Sequence, residues 1–501
     1  MNKLKVVIIG SGIVGASIAR VLSMYENLEV TIVEKEVDVG WGASKANTGI
    51  IHPGHEEDPR THPLRAKLCA RGNNLWRTWT SELEIPVYWP GELMVYTGDE
   101  EERRARDYIK LAKLNGVPGV RLVDDMELRT LEPLLSQEVR GAIYAPTAGV
   151  ISPFDAVIAV VENAVDNGVK LLTETEVVDV KVVNGSVAGV ETSRGLIEAD
   201  VVVNAAGIYA DKISHIAGVE KDFHITPRKG EYVLYDEEVS IKPLRVLHTT
   251  PTPKTKGVYA VTTVHGNLML GPTAEDLPPD ARDDVSTSSR GIEHVMREAS
   301  RILKELPPRS RIIRTFAGLR AEPSSGDWLI RAYEDPWGFI NVAGMRSPGL
   351  TAAPAIAEYV AKVLSKELEV KLEVKKHWNP YRKDITRVRG KTLDELDLLI
   401  AKNPCYGEVI CCCKMVTKAE VLEAIKRMRG IGIKTITLDG LKFRTHSGFG
   451  KCQGSFCRWR VALIVSQQLN LPYHEVVVKK DRYGVGDVKV LLRQKITLGG
   501  E

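Results

Sequence analysis

The hydrophobic pattern of the first 34 residues follows the order strand, helix, strand. Residues 3–10 form a β-branched apolar run that ends at a glycine, and residues 16–22 continue as a good helix. A second apolar run, Leu28–Val33, is followed directly by Glu34. The turn between the first strand and the helix, Gly10–Gly15, reads G-S-G-I-V-G, the pattern that admits a pyrophosphate to a helix N-terminus. Together these elements predict a Rossmann-like dinucleotide-binding site, with the acid placed to hold ribose hydroxyls.

Further along the chain the pattern predicts more helices and two kinds of strand. Helices are expected over Pro63–Leu83, Glu100–Asn115, Phe154–Asn167 (capped by Ser152 and Pro153), Leu393–Ala401 and Ala352–Leu364. Strands are expected in the single run Glu84–Thr97, in Val169–Leu172, in three short runs within Val177–Ala199, and in Val201–Asn204. The runs Ile225–Tyr235, Val258–Thr263 and Asn267–Leu270 predict a second, antiparallel domain.

Composition and charge exclude several classes of protein. The 501 residues are 44% hydrophobic and 27% charged, with a formal net charge of +3. This mild charge argues against a nucleic-acid partner, and no apolar run reaches the roughly 18 residues of a membrane-spanning helix. Because the chain opens directly into its first strand, we expect no signal peptide and a cytoplasmic protein. Peripheral attachment to the inner face of the membrane is compatible with the sequence.

Six of the seven cysteines are crowded between residues 405 and 457. Crowded cysteines in a chain without a secretory signal indicate a metal site rather than a disulfide framework. Cys411 and Cys413 form a C-x-C pair, and Cys452 and Cys457 form a C-x4-C pair after a 38-residue interval. This arrangement resembles the bacterioferritin-associated-ferredoxin-like [2Fe–2S] domain, in which four thiolates hold the cluster. Structural zinc is the main rival, although its ligand pairs are usually spaced C-x2–4-C.

The remaining cysteines are not expected to be ligands. Cys412 stands where relatives of the ferredoxin-like domain usually carry arginine, and consecutive side chains point apart. Cys405 and Cys69 are expected to be plain thiols.

Three stretches together resemble a known family of flavoproteins. The loop Gly40–Gly54 contains S-K-A-N-T-G-I-I-H, the run Phe316–Arg320 reads F-A-G-L-R, and Gly349–Thr351 reads G-L-T before a helix. In this order they resemble the D-amino-acid-oxidase-like flavoproteins. Within them the chain looks most like the FAD-dependent glycerol-3-phosphate dehydrogenases of the anaerobic large-subunit type, with L-2-hydroxyglutarate oxidases as near cousins. The resemblance covers about the first 370 residues.

The resemblance implies where FAD is bound. It places the S-K-A-N-T-G-I-I-H loop against the isoalloxazine ring, Val177 near the adenine, and Ala206-Gly207 near the pyrophosphate. The N-terminus of the G-L-T helix faces the flavin N1–O2 edge, where its dipole favours an anionic reduced flavin. The expected cofactor-binding residues are Gly10, Gly12, Ile13, Val14, Gly15, Glu34, Lys35, Ser44, Lys45, Asn47, Thr48, Gly49, Val177, Ala206, Gly207, Gly344, Gly349, Leu350 and Thr351.

Oxidation by a flavin needs a base for the substrate proton and, for an anionic substrate, fixed cations. His52 and His265 are the candidate bases, and a histidine suits neutral pH. The resemblance implies that Arg320 binds an anion over the flavin, the alternative being a structural salt bridge. Arg346 is a second candidate for the catalytic site, and Arg228 and Lys229 are weaker ones.

The expected function is oxidation of sn-glycerol 3-phosphate to dihydroxyacetone phosphate. Electrons would pass from FAD through the [2Fe–2S] cluster to a partner redox subunit or another acceptor. The alternatives within the same chemistry are an L-2-hydroxyglutarate dehydrogenase and a subunit of a dye-linked proline- or sarcosine-type dehydrogenase. Two other classes stay open: a non-catalytic electron-relay subunit, and a regulatory module that uses the four cysteines as an iron or zinc sensor.

The expected fold combines α/β and α+β parts. Residues 1–370 are expected to form the flavoprotein unit. Its Rossmann-like FAD-binding part covers about 1–83, 150–224 and 311–370, and its antiparallel substrate part covers about 84–149 and 225–310. Residues 371–404 are predicted to be a connector, 405–469 a small four-cysteine iron–sulfur domain, and 470–501 a short β-rich tail.

Overall fold

The computed structural model describes residues 3–251 and 256–479. The described helices are α1 (Ile13–Leu22), α2 (Pro63–Glu82), α3 (Asp99–Leu114), α4 (Asp125–Leu131), α5 (Pro153–Asp166), α6 (Ala210–Ile216), α7 (Ser289–Ile302), α8 (Gly349–Lys366), α9 (Leu393–Lys402), α10 (Lys418–Gly430), α11 (Leu438–Thr445) and α12 (Arg458–Leu469). The predicted β-rich tail lies largely outside the described residues.

The strands, like the helices, are numbered in chain order. They are β1 (Leu4–Ile9), β2 (Leu28–Val33), β3 (Ile50–Ile51), β4 (Val87–Tyr88), β5 (Glu92–Tyr96), β6 (Arg121–Val123), β7 (Gly141–Ala145), β8 (Gly149–Ile151), β9 (Lys170–Leu172), β10 (Val177–Val183), β11 (Ser186–Thr192), β12 (Gly195–Glu198), β13 (Val201–Asn204), β14 (Ile225–Tyr235), β15 (Val246–Thr249), β16 (Tyr259–Thr262), β17 (Leu268–Gly271), β18 (Glu275–Asp276), β19 (Ile312–Pro323), β20 (Leu329–Glu334), β21 (Trp337–Ala343), β22 (Val409–Cys411) and β23 (Val416–Thr417).

The chain divides into two compact units. The first comprises residues 1–33, 39–170 and 175–382, and the second comprises residues 34–38, 171–174 and 383–501. Part of the predicted connector therefore groups with the first unit, where Arg382 Nε donates to Glu162 Oε2 at 2.7 Å. The predicted helix near residues 393–401 is confirmed as α9. In the described part of the chain, no helix has the length and apolar character needed to cross a membrane.

The first unit contains a parallel sheet built on the predicted strand–helix–strand start. Strand β1 lies between β13 and β2, and both neighbours run parallel to it. The full path is β10-β11-β21-β13-β1-β2-β9, with β12 and β20 paired at its side. The strands predicted over Leu28–Val33 and Val201–Asn204 are confirmed residue for residue. The predicted three-stranded meander is confirmed as the antiparallel strands β10, β11 and β12.

A second, mainly antiparallel sheet follows the path β18-β14-β17-β16-β15-β5-β7-β6, with β19 paired along β14. On one of its faces, Leu93 of β5 and Leu247 of β15 pack in a core with Val295 of α7. The opposite face carries Tyr232, Val246 and other side chains that pack against β3 and β8. Because side chains alternate along a strand, neighbouring residues such as Val246 and Leu247 lie on opposite faces of this sheet.

The strand-like run predicted over residues 84–97 contains two strands rather than one. The structure breaks it at Pro90 and Gly91 into β4 and β5, which belong to different sheets. Proline cannot donate to a strand ladder, and Gly91 has a φ of 73°, so the chain turns there. This turn makes Glu92 the first residue of β5.

The second unit places its cysteines on short elements. Cys411 ends β22 of the β22–β23 hairpin, and Cys457 is the N-cap of α12. Thr417 and Glu420 form a capping box that starts α10, with Glu420 accepting from the Thr417 backbone N–H at 2.7 Å. Arg444 and Asp38 form a buried bidentate ion pair at 2.6 and 2.9 Å.

Candidate active site

The glycine turn lies where β1 and β13 end side by side. Gly10 has a φ of 102°, and a Cβ atom there would come within 2.6 Å of the Ala205 carbonyl oxygen. Glycine is therefore required by both the backbone conformation and the close approach. Gly12 is the N-cap of α1, whose first turn holds no acidic residue. Ala206 and Gly207 lie at the same edge of the sheet. The backbone there leaves room for a pyrophosphate, and the positive N-terminal end of α1 would attract it.

The loop at residues 43–49 is fastened to the start of α1. Ser44 Oγ accepts the Ile13 backbone N–H at 2.9 Å. The amide of Asn47 donates to the Ser44 carbonyl oxygen at 2.9 Å, and its Oδ1 accepts the Gly49 N–H at 2.8 Å. The loop is thus held in one conformation by its own small polar residues, beside the helix end that would bind the cofactor phosphates.

The N-terminus of α8 holds His52 in place. Thr351 Oγ1 accepts the His52 backbone N–H at 2.9 Å, and Trp76 Nε1 donates to the Leu350 carbonyl oxygen at 3.0 Å. The first turn of α8, which opens at Gly349, contains no acidic residue. Its positive end therefore stays available for an anionic group on a ligand.

The imidazole of His52 is buried and neutral. Burial, followed by the charge of Lys256, lowers the pKa of His52 from 6.5 to about 4. Within the described residues, Nδ1 of His52 is buried without a hydrogen-bond partner. The ring of Tyr259 meets it edge-on, with centroids 6.0 Å apart. A neutral imidazole with one unsatisfied nitrogen can accept a proton from a bound substrate.

The second sheet approaches the 43–49 loop through β19. A Cβ atom at Gly318 would lie 2.1 Å from the Ala46 carbonyl oxygen, so only glycine allows this contact. Arg320 lies two residues further along β19 and therefore on the same face of the sheet. Arg320 therefore lies on the face of the second sheet that meets the 43–49 loop.

Arg320 is a largely buried cation without an acidic partner among the described residues. Its Nη2 donates to the Thr273 carbonyl oxygen at 2.6 Å and to the Lys229 carbonyl oxygen at 3.4 Å, while Nε has no partner there. Burial lowers the pKa of Arg320. Within residues 3–251 and 256–479, Arg320 forms no structural salt bridge, the alternative that the sequence left open. A guanidinium that keeps its charge in such a place is suited to binding an anion.

The other predicted cations are already paired. Arg346 lies 3.1 Å from Glu322, and the other oxygen of Glu322 lies 3.0 Å from Arg228, which also donates to Asp276. Lys229 donates to Asp284 at 3.1 Å. These ion pairs leave less positive charge for a ligand than Arg320 provides.

His265, the second candidate base, lies against the start of α5. Its ring stacks on Phe154 with centroids 5.8 Å apart, and Nε2 is 3.9 Å from Asp155 Oδ2. It is part of the first unit, like His52, but belongs to the turn between β16 and β17.

The remaining predicted cofactor residues lie at strand and loop ends. Glu34 directly follows β2, and its Oε1 accepts the Glu36 backbone N–H at 2.9 Å. Val177 begins β10, and Lys45 Nζ lies 4.3 Å from the centre of the Trp41 ring. Of the others, Lys35 is exposed and Thr48 is half-buried in the 43–49 loop. Val14 and Gly15 lie in α1, and Gly344 follows β21.

Sequence reasoning missed a buried polar cluster beside His52. Lys256 Nζ donates to Glu56 Oε2 at 2.6 Å and to Glu57 Oε1 at 2.7 Å. Glu92 and His248 are fully buried nearby, and His248 stacks on Tyr259 with centroids 4.5 Å apart. The sequence signal was the run H-E-E at residues 55–57, which follows the flavoprotein loop directly.

The four cysteines named as ligands come together in the second unit. Sγ of Cys413 lies 3.9 Å from Sγ of Cys452. Cys411 and Cys457 are buried, and a hydrogen bond from the Cys457 thiol lowers the pKa of Cys411 to about 6, while the same contact raises the pKa of Cys457. Cys412 is exposed. Two close thiol pairs can supply the four sulfur ligands of a thiolate-bound metal centre.

Backbone N–H groups surround these sulfurs. Those of Gly448, Lys414 and Cys413 also act on Cys411, and those of Phe456 and Gly454 lower the pKa of Cys452. Hydrogen bonds to sulfur tune an iron–sulfur cluster, and the N-terminus of α12 adds a positive dipole end. The site therefore fits a thiolate-bound cluster.

Comparison with known proteins identifies the family. The family of FAD dependent oxidoreductases called DAO matches residues 5–363. A glycerol 3-phosphate dehydrogenase from Caloramator mitchellensis is 39% identical over 479 residues, 96% of this chain and 97% of that protein. Anaerobic glycerol-3-phosphate dehydrogenase subunit A1 from Haloferax volcanii is 25% identical over 91% of this chain and 82% of that protein.

A solved structure agrees with this family. The dithionite-reduced L-α-glycerophosphate oxidase from Mycoplasma pneumoniae, with FAD bound, matches with a TM-score of 0.70 and 29% identity. The match covers 76% of this chain and 99% of that chain. The chain therefore belongs to the DAO family and is an FAD-dependent oxidoreductase.

Proposed function

We propose that this chain oxidises sn-glycerol 3-phosphate to dihydroxyacetone phosphate and passes the electrons through a [2Fe–2S] cluster to a partner redox subunit. The observation that carries the proposal is Arg320, a half-buried cation with a buried Nε and no acidic partner in the described chain, on the sheet face that meets the 43–49 loop. The names of relatives from Caloramator mitchellensis and Mycoplasma pneumoniae support a three-carbon phosphate as the substrate.

The side chains divide the work between binding and proton transfer. Arg320 would bind the substrate phosphate, and His52, neutral and held by Thr351, would accept the proton of the substrate hydroxyl. FAD supplies the acceptor for the hydride, which leaves the carbon that bears this hydroxyl. The sheet face and the 43–49 loop meet at Gly318 and Ala46, and together they would shield the charged contacts from water.

The proposal for electron exit rests on the second unit. Cys411, Cys413, Cys452 and Cys457 would hold the cluster, since their sulfurs pair closely and Cys412 points to solvent. A [2Fe–2S] cluster accepts one electron at a time. This property suits electron transfer to another redox protein better than it suits a reaction that needs two electrons at once. The Haloferax volcanii relative is itself called a subunit, and it matches nearly the whole of this chain, which supports assembly with a partner.

Replacing Arg320 tests the proposed function. We expect Arg320→Ala to raise KM for glycerol 3-phosphate roughly 10- to 150-fold while FAD stays bound, because a charge-assisted contact is worth about 1.5–3 kcal/mol. The measurement is KM with an artificial electron acceptor, together with the FAD content. Arg228→Gln is the matched control, because Arg228 lies opposite Arg320 across the strands but is already paired with acids. An unchanged KM in the Arg320 variant would remove Arg320 from the substrate site.

FAD is expected to be bound without a covalent link, at one molecule per chain. The glycine turn at Gly10 and the loop at residues 43–49 provide a site, and no cysteine lies in a recognised flavin-attachment motif. Denaturing the protein should release all its flavin as FAD, measured by chromatography of the supernatant. Yellow colour that stays with the precipitated chain, or FMN in the supernatant, would overturn this expectation.

A further inference from the structure

The buried polar cluster beside His52 contains four side chains of the types that bind metal ions. They are His55, Glu56, Glu92 and His248, here called the two-His, two-Glu cluster. Glu92 begins β5 and His248 lies on the parallel neighbour β15. The register pairs Val246 with Glu92, so Glu92 and His248 lie on one face of the sheet. His55 and Glu56 come from the loop that follows β3.

The ligand atoms of three of these side chains, His55, Glu56 and Glu92, all lie within 4.8 Å of one another. His248 is the outermost of the four and approaches two of them. His55 Nδ1 is 3.5 Å from Glu92 Oε1, and His248 Nε2 is 3.7 Å from Glu56 Oε1 and 3.9 Å from Glu92 Oε1. Two ligands on one zinc-sized ion are roughly 3.4 Å apart when each bond is about 2.1 Å long. The observed separations are close to that value.

The same atoms have no other use in the described part of the chain. Both ring nitrogens of His55, both oxygens of Glu92, Oε1 of Glu56 and Nε2 of His248 are buried without hydrogen-bond partners. His55, Glu92 and His248 are 0% exposed. Leaving so many buried polar atoms unsatisfied is costly, and a bound cation would remove the cost at one nitrogen of each imidazole and at the carboxylate oxygens that face it.

The charged side chains around the two-His, two-Glu cluster are compatible with a bound cation. Lys256 and Arg65 are the neighbouring positive groups, and their contacts go to Glu57 and to Oε2 of Glu56. Three carboxylates, those of Glu56, Glu57 and Glu92, therefore face two fixed cations. A divalent ion would offset the excess negative charge.

The surroundings of His248 favour metal binding through Nε2. Its Nδ1 lies 3.0 Å from the Thr249 carbonyl oxygen. A backbone carbonyl that accepts Nδ1–H fixes the tautomer in which Nε2 carries the free electron pair, as around many metal-bound histidines. The stacked ring of Tyr259 holds the imidazole in this orientation.

We propose that His55, Glu56, Glu92 and His248 bind one divalent transition-metal ion, of which Zn²⁺ is the representative probe. Imidazole and carboxylate ligands suit zinc, manganese and ferrous iron. The ion ties the loop that carries His52 to two neighbouring strands of the second sheet. The proposal goes beyond the proposed function, because it needs neither a particular substrate nor the four-cysteine cluster.

Metal analysis of the full-length, FAD-loaded protein tests this site. The wild type should contain one more equivalent of zinc, manganese or iron per chain than Glu92→Gln and His248→Gln, as measured by mass spectrometry of the elements. His294→Gln is the control, because His294 lies half-buried on α7, where it contacts Arg297 rather than the cluster. Comparing variants that share intact cysteines removes the metal of the four-cysteine site from the difference.

A calorimetric titration makes the test independent of what the protein acquires during expression. Chelator-treated wild type should bind one Zn²⁺ at least roughly 10-fold more tightly than Glu92→Gln, and Zn²⁺ should raise its Tm by roughly 2 °C or more. FAD content and the Tm without metal show that each variant folds. Equal metal content and equal zinc binding in wild type and Glu92→Gln would overturn the proposal, and would leave a protonated His248 paired with Glu92 instead.

Discussion

Replacing His52 with glutamine should slow substrate reduction of the flavin by roughly 10²- to 10⁴-fold, the usual contribution of a general base. The variant keeps the backbone N–H that Thr351 accepts, so the loop and the α8 N-terminus should stay in place. We therefore expect FAD content and substrate KM to change little. The measurement is the rate constant of anaerobic flavin bleaching in a stopped-flow instrument.

Two control variants decide whether the base is assigned correctly. His265→Gln should lose far less activity, because His265 stacks on Phe154 at the start of α5 rather than next to α8. His62→Gln, at the N-cap of α2, should behave as the wild type. A large loss in the His265 variant with a normal His52 variant would move the base to His265.

The pH dependence offers a second readout for His52. Because the pKa of His52 lies near 4, the free enzyme carries a neutral imidazole at pH 5–7 and loses the base form only below about pH 4. An acid limb of the reduction rate near pH 6.5, absent from the His52 variant, would contradict this burial effect.

Replacing Cys452 with serine should remove the iron and its visible absorbance, and it should abolish electron transfer to the physiological acceptor. Its sulfur lies 3.9 Å from that of Cys413, so one ligand of the proposed cluster is lost. Bleaching of the flavin by substrate should survive, because proton and hydride removal need only the first unit and FAD. The measurements are iron and sulfide content, anaerobic bleaching, and turnover with the partner protein.

Cys412→Ser is the matched control for the cluster. Cys412 is exposed, so its replacement should leave the iron in place. If Cys412→Ser loses the cluster while Cys411→Ser keeps it, the ligand assignment is wrong. If the protein contains zinc and no iron, or if Cys452→Ser passes electrons normally, the electron-relay proposal fails.

Local sequence patterns were sufficient for much of the fold. The strand at Leu28–Val33 and the helix after Gly12 follow from apolar runs and a glycine turn that act within a few residues. The cap of α5 at Ser152 is equally local, with its Oγ accepting the Asp155 N–H at 3.4 Å. The break at Pro90 was missed because apolar residues on both sides concealed a change of sheet.

The candidate site was less predictable because it depends on distant partners. The sequence could not show that Glu322 pairs with Arg346 and leaves Arg320 without an acid. It also could not place Glu92 beside His248, since 156 residues separate them and only the parallel pairing of β5 and β15 brings them together. Motifs indicated where the candidate site lies, whereas the pairing of charges in three dimensions distinguished its candidate residues from one another.

Anaerobic bleaching of the flavin in the isolated chain distinguishes glycerol 3-phosphate from the alternative substrates. Glycerol 3-phosphate, L-2-hydroxyglutarate, proline and sarcosine are added separately to the oxidised, full-length protein. The account predicts rapid bleaching by glycerol 3-phosphate, with one dihydroxyacetone phosphate formed for each FAD reduced, and little or none by the other three. If one of the other three compounds alone bleaches the flavin, or if none of the four does, the proposed function is contradicted.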